Sequence, residues 1–297
     1  MTDLLAQLST DLAARTEALQ SSVAAIRLSS ERHLSATLWQ PEVAVSSEQS
    51  LPRREEFELV LAGGVVATAK LVGRDQGTNI AVLRLAAPGS PPALVTGEAP
   101  AGALALALGA DGTGGASLRL GAINLAGPQW HSMAGGLIDR RIVLDLRLAR
   151  REEGGPVFNA AGAFLGMSSF GPRARVLVIP FATMERVVPV LLKEGRVARG
   201  WLGVALHPVA LPDALREQAG QSSGLMVMSL VEDGPAAKAG VVAGDIVLSV
   251  NDVPALGFRR LAGELAKGGL GRKAALRVVR GGTVLSLDAV IEARPAA

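Results

Sequence analysis

The sequence predicts a mostly β fold that contains a pair of antiparallel β-barrels. Short stretches with strand character follow one another through the first two thirds of the chain, glycine and proline residues separate them, and no long helical pattern interrupts them. Closely spaced strands with turn residues between them are typical of barrels and sandwiches. The expected strands lie at residues 35–40, 43–46, 56–61, 65–73, 80–85, 103–108, 118–125, 141–146, 156–158, 163–168 and 175–180.

Two helices are expected at the ends of this β region. Apolar residues recur at three- and four-residue steps through residues 3–25, and Thr2 or Asp3 can cap the first turn. Thr183–Glu194 shows the same helical spacing. The character of the chain changes after Gly195, which indicates the start of a second domain.

The composition indicates a well-packed globular protein without a nucleic-acid surface. The 297 residues are enough for two or three domains, and 49% of them are apolar. A net charge of +3 and an aromatic content of 3% do not supply the clustered cations and stacking rings that nucleic-acid binding requires. We therefore expect no nucleic-acid partner.

Several common sites and targeting segments are not expected either. The chain has no cysteine, which excludes disulfide bonds and thiolate metal sites. The residues from Met1 to Gln7 lack the features of a secretory signal, and no apolar run reaches about 18 residues. We therefore expect a cytoplasmic location and no transmembrane segment. The run Gly109–Gly115 lacks the Lys-Ser/Thr of a phosphate loop and predicts a hairpin turn.

The segment Arg151–Phe158 is the most informative motif, because it has a double glycine followed by proline and an apolar strand. It resembles the Gly-Asn-Ser-Gly-Gly-Pro loop of the HtrA (high-temperature-requirement) family of trypsin-like serine proteases. The resemblance places Glu153 where that family has its nucleophilic serine. A carboxylate cannot replace an activated hydroxyl in acyl transfer.

Two further segments resemble the same family around its other catalytic residues. Thr78–Leu85 is similar to the family's Thr-Asp-Leu-Ala-Val-Leu-Lys-Leu strand, with Asn79 in place of the orienting aspartate. Val45–Leu51 fits the family's Val-Thr-Asn-x-His-Val-Val segment, with Gln49 in place of the histidine. The resemblance thus implies a trypsin-like double six-stranded β-barrel with a degenerate triad, within a domain of residues 1–195.

The last third of the chain resembles the PDZ domain that follows HtrA protease domains. Five motifs occur in the family's order, and together they imply a small β-barrel with helices over residues 199–292. They are Arg199–Val204, Gly224–Val227, Pro235–Gly240, Gly244–Asn251 and the helical segment Phe258–Lys267. A PDZ domain binds an extended peptide by adding it to a sheet edge and holding its C-terminal carboxylate on backbone N–H groups.

The PDZ resemblance also implies which residues bind such a peptide. The carboxylate loop corresponds to Trp201, Leu202, Gly203 and Val204, and an apolar pocket is expected from alternating strand residues and a later helix. The strand residues are Leu202, Val204 and Leu206, and the helix residues are Leu261 and Leu265. A purely structural PDZ module, with these leucines in its core, is the alternative.

Other potentially reactive groups have simpler explanations. Paired carboxylates such as Glu152 and Glu153 suit a hard cation, but Arg150 and Arg151 precede them and favour neutralisation at the surface. We expect neither a metal nor a cofactor. Ser168 and Ser169 would line the substrate pocket that the resemblance implies, but no base that could activate either as a substitute nucleophile is identifiable. His33, His131 and His207 match no catalytic position and are expected to be surface or packed residues.

Together these resemblances predict a catalytically inactive HtrA-like pseudoprotease. It would act as a scaffold, adaptor or assembly subunit, and bind a protein or peptide C-terminus in its PDZ groove, its vacant cleft or both. The alternatives are an active HtrA-type serine endopeptidase and a chaperone-like holdase for unfolded chains. A homo-oligomer or a larger complex stays open.

Overall fold

The structure is a computed structural model that describes residues 3–293 and divides into two compact units. One unit contains the described residues up to Trp130 together with Ile138–Val197. The other contains His131–Leu137 and the described residues from Ala198 onward. Within residues 3–293, none of the helices combines the length and the apolar character that a membrane span requires.

The first unit begins with helix α1, Leu4–Leu19, which is shorter than the sequence pattern predicts. Asp3 caps it, because its side chain accepts a hydrogen bond from Leu5 N at 3.1 Å; the other expected cap, Thr2, lies outside the described residues. The prediction that the helical pattern extends to residue 25 is wrong. A short 3₁₀ turn follows α1, and Val23–Arg27 then pairs with two neighbouring strands as the first strand of a barrel.

The first barrel is a closed antiparallel sheet of six strands. Its spatial order is β1-β2-β3-β6-β5-β4, and pairing between β1 and β4 closes it. The strands are β1 (Val23–Arg27), β2 (His33–Gln40), β3 (Val43–Ser47), β4 (Glu56–Val60), β5 (Val66–Asp75) and β6 (Ile80–Leu85).

The second barrel also closes with six strands, in the order β11-β14-β13-β12-β7-β8. The expected hairpin turn at 109–115 joins β7 to β8. The strands of this barrel and the helix that follows it are β7 (Leu104–Ala110), β8 (Ala116–Gly127), β11 (Arg141–Asp145), β12 (Pro156–Asn159), β13 (Phe164–Phe170), β14 (Val176–Pro180) and α2 (Phe181–Glu194). Between β8 and β11 in the sequence, β9 (Trp130–His131) and β10 (Leu137–Ile138) form a separate two-stranded sheet. The predicted double six-stranded barrel is therefore confirmed.

An apolar core lies between the two barrels and under α2. Phe158 and Phe164 from the second barrel pack edge to face, with ring centroids 5.5 Å apart, and neither side chain is exposed by more than 1%. Val45 and Ile80 from the first barrel belong to the same buried cluster. This shared core supports the polar cleft described below, because the strands that frame the cleft are the ones that contribute to it.

The second unit contains a six-stranded antiparallel sheet, in which five strands follow the order β16-β17-β18-β20-β21 and the sixth, β19, pairs with β18; helices lie around the sheet. Strand β16 is at one edge. The elements are β15 (Gly200–Trp201), β16 (Val204–Ala210), α3 (Asp213–Ala219), β17 (Ser223–Leu230), α4 (Pro235–Lys238), β18 (Ile246–Val250), β19 (Val253–Pro254), α5 (Phe258–Gly268), β20 (Lys273–Arg280), β21 (Thr283–Val290) and β22 (Glu292–Ala293).

Candidate functional site

The double glycine after Glu153 holds its loop against the backbone of two strands. Gly154 has φ +90°, and a Cβ on it would lie 2.4 Å from the carbonyl oxygen of Ser35. A Cβ on Gly155 would lie 2.0 Å from the carbonyl oxygen of Leu108. Because only glycine avoids these clashes, this pair fixes the loop so that the preceding side chain enters the cleft between the barrels.

Glu152 anchors the start of this loop by an ion pair in which its own carboxylate is buried and Arg119 is partly exposed. Its carboxylate accepts hydrogen bonds from Arg119 Nε at 3.0 Å and from Ala149 N at 2.7 Å. Burial by itself raises the pKa of Glu152, but the hydrogen bonds from Arg119 and Ala149 and the charge of Arg119 outweigh it, and the pKa lies below its ordinary value. The carboxylate is therefore charged and holds the 3₁₀ turn at 150–152 in place.

Glu153 is 2% exposed and lies in the cleft itself, where its carboxylate accepts hydrogen bonds from uncharged groups only. Ser47 Oγ donates at 2.9 Å, Gln49 Nε2 at 2.6 Å and the backbone N–H of Phe170 at 2.9 Å. Ser50 Oγ donates to the second carboxylate oxygen. The expectation that Glu152 and Glu153 neutralise neighbouring arginines at a surface is wrong, because both side chains are buried and bonded to other parts of the chain.

Asn79 connects the loop that contains Gln49 to the same cluster by hydrogen bonds. It adopts a left-handed conformation with φ 58°, which asparagine tolerates better than most residues. Its Oδ1 accepts from Gln49 N at 2.8 Å, and its Nδ2 donates to Ser47 Oγ at 2.9 Å and to Ser169 Oγ at 2.8 Å. The structure thus brings Gln49, Asn79 and Glu153 together, while their assignment to the three triad positions stays a prediction.

Two serines of this cluster, Ser47 and Ser50, are not among the residues to which the sequence motifs point. Ser47 and Ser50 lie in the Gln49 segment, and their nearness to an aligned position was the only available signal. Ser169 and its neighbour Ser168 lie within β13 and are buried. None of the three histidines belongs to the cluster, although all lie within the described residues: His33 is in β2, His131 in β9 and His207 in β16.

In the loop Trp201–Val204 of the second unit, the carbonyl groups of Leu202 and Gly203 accept backbone hydrogen bonds, whereas the N–H groups of the same two residues donate none to the described residues. The carbonyl of Leu202 accepts from Ala236 N at 2.9 Å, and that of Gly203 from Val231 N at 2.8 Å. Among the described residues, no hydrogen bond is donated by the amides of Leu202 or Gly203. Gly203 has φ +75°, and a left-handed residue in such a turn directs successive N–H groups into one concavity.

Of the residues expected to form the apolar peptide pocket, some lie in the core of the second unit and others are partly buried beside it. Leu202, Leu261 and Leu265 are all at most 8% exposed and form part of the unit's apolar core. Val204 and Leu206 are partly buried and pack against that core from β16. The expectation that Leu202 belongs to the strand is wrong, since the left-handed Gly203 interrupts the extended chain and β16 begins at Val204. Trp201, which precedes this interruption, belongs to the short strand β15 and pairs with Glu292 of β22.

Comparison with protein families matches each unit separately. Residues 32–167 match the model of a trypsin-like peptidase domain, and residues 200–291 match that of a PDZ domain. A protein from Brucella suis described as a probable periplasmic serine endoprotease DegP-like is 32% identical over 248 residues, which cover 81% of this chain and 48% of that protein. The chain therefore spans about half the length of the curated relatives it matches.

Solved structures agree with this relationship. The HtrA-type protease AlgW with a tripeptide superposes with a TM-score of 0.72 at 25% identity, covering 96% of this chain and 98% of that one. The serine endoprotease from Yersinia pestis, at 22% identity, has a TM-score of 0.73 and covers 95% of this chain and 97% of its own. The second likeness concerns the fold alone.

These comparisons contradict two expectations from the sequence. The expectation that the chain is not an enzyme is wrong, because the relatives are named serine endoproteases. It rested on matching three positions to a motif, whereas catalytic groups are defined by geometry and role and not by their position in the sequence. The expectation of a cytoplasmic location is wrong as well, because the relatives are named periplasmic. The chain belongs to the HtrA/DegP-like family, with a trypsin-like peptidase domain followed by a PDZ domain.

Proposed function

We propose that this protein captures the C-terminal segment of a partner protein in its PDZ groove. The observation that supports this most directly is the Trp201–Val204 loop, where the amides of Leu202 and Gly203 have no hydrogen-bond acceptor among the described residues. Unpaired N–H groups in a turn attract an anion, and a terminal carboxylate satisfies two donors at once. Such capture would serve an adaptor or an assembly subunit as well as a peptidase.

The strand next to this loop supports the same proposal. β16 is an edge strand, so its outer backbone groups are available to pair with an extended ligand. Val204 and Leu206 lie on its partly buried side, against the core that contains the leucines of α5. A ligand strand therefore meets polar backbone at the edge and apolar surface beside it, which favours peptides with an apolar last residue.

The test is binding of fluorescein-labelled peptides with apolar C-terminal residues to the full chain, measured by fluorescence anisotropy. Each peptide is used with a free carboxylate and as the amide, and amidation should weaken binding by about tenfold or more, because the backbone donors then face a neutral group. Leu206→Glu should weaken binding similarly, since it places a charge against the apolar side of β16. Its matched control is Ala205→Glu, on the exposed side of the same strand, which should bind like the wild type.

Equal affinity for acid and amide peptides would overturn the proposal that the Trp201–Val204 loop binds a terminal carboxylate. A loss of binding in both variants, or in neither, would overturn the assignment of the apolar side of β16. Circular dichroism of each variant separates these outcomes from loss of folding.

A second candidate function is serine endopeptidase activity, which the names of the relatives favour. Acyl transfer requires a hydroxyl whose proton passes to a base. In the cleft, the partly exposed Ser50 donates a hydrogen bond to the carboxylate of Glu153, and Asn79 and Gln49 orient the surrounding loop. Ser50 is therefore the first hydroxyl to test as a nucleophile, ahead of the buried Ser168 and Ser169.

A fluorophosphonate probe and an unfolded casein substrate test this candidate in the same preparation. The candidate predicts cleavage that the probe blocks, with the label on a serine of the cleft and its loss in Ser50→Ala. Labelling of another serine would reassign the nucleophile. If neither labelling nor cleavage occurs, the endopeptidase candidate is overturned, while the peptide-capture proposal is tested independently by its own binding assay.

A further inference from the structure

Pro208 interrupts the outer hydrogen-bonding edge of β16. This strand pairs with β17 on one side, and no strand covers its other side within the described part of the chain. Proline has no backbone N–H, so in sheets it is confined mainly to edge strands, where its nitrogen faces the unpaired side. The direction in which each backbone group of β16 points therefore decides whether Pro208 affects a ligand that pairs with this edge.

Two backbone hydrogen bonds at the ends of β16 fix which of its residues face β17. The carbonyl of Gly203 accepts from Val231 N at 2.8 Å, and Leu211 N donates to Ser222 O at 2.8 Å. In an antiparallel pair the N–H and C=O of one residue point to the same neighbour, and successive residues alternate. The register shift between the two strands leaves out Met228, a residue of β17, so the alternation along β16 is continuous. Odd-numbered residues from 203 to 211 therefore face β17.

The backbone groups that face away from β17 thus belong to Val204, Leu206, Pro208 and Ala210, and Pro208 alone among them has no donor. A peptide whose carboxylate lies in the Trp201–Val204 loop runs antiparallel to β16, because its C-terminus then lies at the beginning of the strand. Outward groups recur at every second residue. With the last ligand residue beside Val204, the third residue from its C-terminus lies opposite Leu206 and the fifth lies opposite Pro208.

Leu206 and Pro208 differ in what they offer to these two ligand residues. Leu206 supplies both an N–H and a C=O, and its side chain packs against the apolar core of the unit. Pro208 supplies a C=O only, and its side chain is exposed. A ligand residue opposite Pro208 therefore gains at most one hydrogen bond and little apolar contact, and its own carbonyl keeps its bonds to water.

We propose that Pro208 ends the pairing between β16 and a captured C-terminus, so that this groove binds about four terminal residues and releases the chain before the fifth. The partner class that this fits is a protein with a short unfolded tail, whose preceding residues can be folded or bent away from the sheet. The inference rests on the proposed capture of a C-terminus and specifies how much of the partner is bound.

The test is competition between peptides of two lengths on the full chain, read from the anisotropy of one fluorescein-labelled octapeptide. The competitors are an acetylated tetrapeptide with a free carboxylate and an apolar last residue, and the same peptide extended at its N-terminus by four alanines, which add backbone groups and little side-chain surface. The wild type should bind both with affinities within about twofold. In Pro208→Ala, which restores the N–H, the longer peptide should bind about threefold or more tighter than the shorter one.

The matched control is Pro254→Ala, because Pro254 lies in β19 and pairs with β18, which β17 separates from β16; it should keep the wild-type ratio. A second measurement needs no variant. Methylating the amide nitrogen of the third residue from the C-terminus removes the donor to Leu206 and should weaken the longer peptide about tenfold, whereas methylating the fifth should change its affinity by less than about twofold.

The inference is overturned if the longer peptide binds the wild type about threefold or more tighter than the shorter one, if Pro208→Ala keeps the wild-type ratio, or if methylation at the fifth residue weakens binding as much as at the third. Each of these outcomes leaves the dependence on a free carboxylate intact, so capture of a C-terminus stands without the length limit. Equal binding of acid and amide peptides would overturn the proposed function, and the length limit with it. The methylated peptides are tested on the wild type, so the result does not depend on the folding of a variant.

Discussion

The cleft of the peptidase-like domain and the carboxylate loop of the PDZ domain satisfy their polar groups in opposite ways. In the cleft, the buried carboxylate of Glu153 and the outward groups of Phe170 all have partners within the chain. In the loop, the carbonyls of Leu202 and Gly203 are bonded but their amides are not. A ligand must displace internal bonds to enter the first site and only water to enter the second.

The two sites also differ in the free energy that a ligand must spend to bind. Each internal hydrogen bond that a ligand replaces is worth only about 1 kcal/mol net, but a buried group left without any partner costs about 1–3 kcal/mol. The cleft is therefore stable when closed and binds a ligand only when that ligand replaces every bond it breaks. The loop has no such requirement, and we expect it to be the first site to bind a peptide.

The largest effect on stability is expected from Gly154→Ala, which alters the loop that carries Glu153 into the cleft. The new Cβ would lie 2.4 Å from a backbone oxygen of Ser35, at a residue with φ +90°, so the loop that carries Glu153 must move. We expect a loss of unfolding free energy of about 3 kcal/mol or more. The control is Gly102→Ala, with φ +88° and open space around it, which should lose only about 1 kcal/mol. Urea unfolding measures both, and equal losses would contradict the close-packed loop.

A smaller effect is expected from Arg119→Gln, which removes the charged partner of Glu152. Because the pKa of Glu152 is lowered in the folded state, this carboxyl stabilises the fold above its unfolded pKa, and the contribution is lost as the pH falls through the folded value. We expect a loss of about 1–3 kcal/mol at pH 7, less than for a fully buried pair because Arg119 is 44% exposed.

The loss in Arg119→Gln should shrink as the pH falls below about 4, where glutamic acid is protonated in the unfolded chain. The control is Lys70→Gln at the exposed pair with Glu56, which should change stability by less than about 0.5 kcal/mol at either pH. A loss that is independent of pH would show that Arg119 acts through packing and not through charge.

The smallest effect is expected from Gly203→Ala, which alters the open loop without a clash against backbone. Its Cβ would meet the Trp201 ring at 3.2 Å, and φ +75° is unfavourable for alanine. We expect about a tenfold loss of affinity for free-carboxylate peptides. The matched control is Gly220→Ala, with φ +71° and nothing within 4 Å, which carries the same backbone strain away from the loop. If both variants bind equally well, the loop amides do not hold the ligand.

The strands and their order of appearance were predictable because alternating apolar residues and turn residues are local signals. Observed strands begin and end within one or two residues of most expected positions. Helix α1 was predicted too long, because the apolar spacing of residues 20–25 suits a helix as well as the turn and strand that form there. The sequence does not distinguish these two structures locally, because the choice depends on which distant residues the apolar side chains of this segment contact.

The candidate sites were predictable only where a motif carries a geometric requirement. Gly154, Gly155 and Gly203 are such residues, because close backbone contacts exclude a Cβ at the first two and the left-handed conformation disfavours one at Gly203. The hydrogen bonds of Ser47, Ser50 and Phe170 to Glu153 have no comparable signal. These partners are 17 to 106 residues from Glu153, and no local pattern specifies which hydroxyl meets a distant carboxylate.

The sequence alone determined that this chain contains two barrels, a PDZ domain and an HtrA-like loop ending in Gly-Gly-Pro. The strands follow from periodicity and turn residues, which act between neighbours in the chain, whereas the PDZ domain and the loop are implied by resemblance to the family's motifs. Only the tertiary structure decided that Glu152 and Glu153 are buried, that one pairs with an arginine and the other with neutral donors, and that Gln49 and Glu153 both bond to the backbone of Phe170. Burial and pairing depend on which segments the barrels bring together, and the free energy of a buried carboxylate is set by those distant partners.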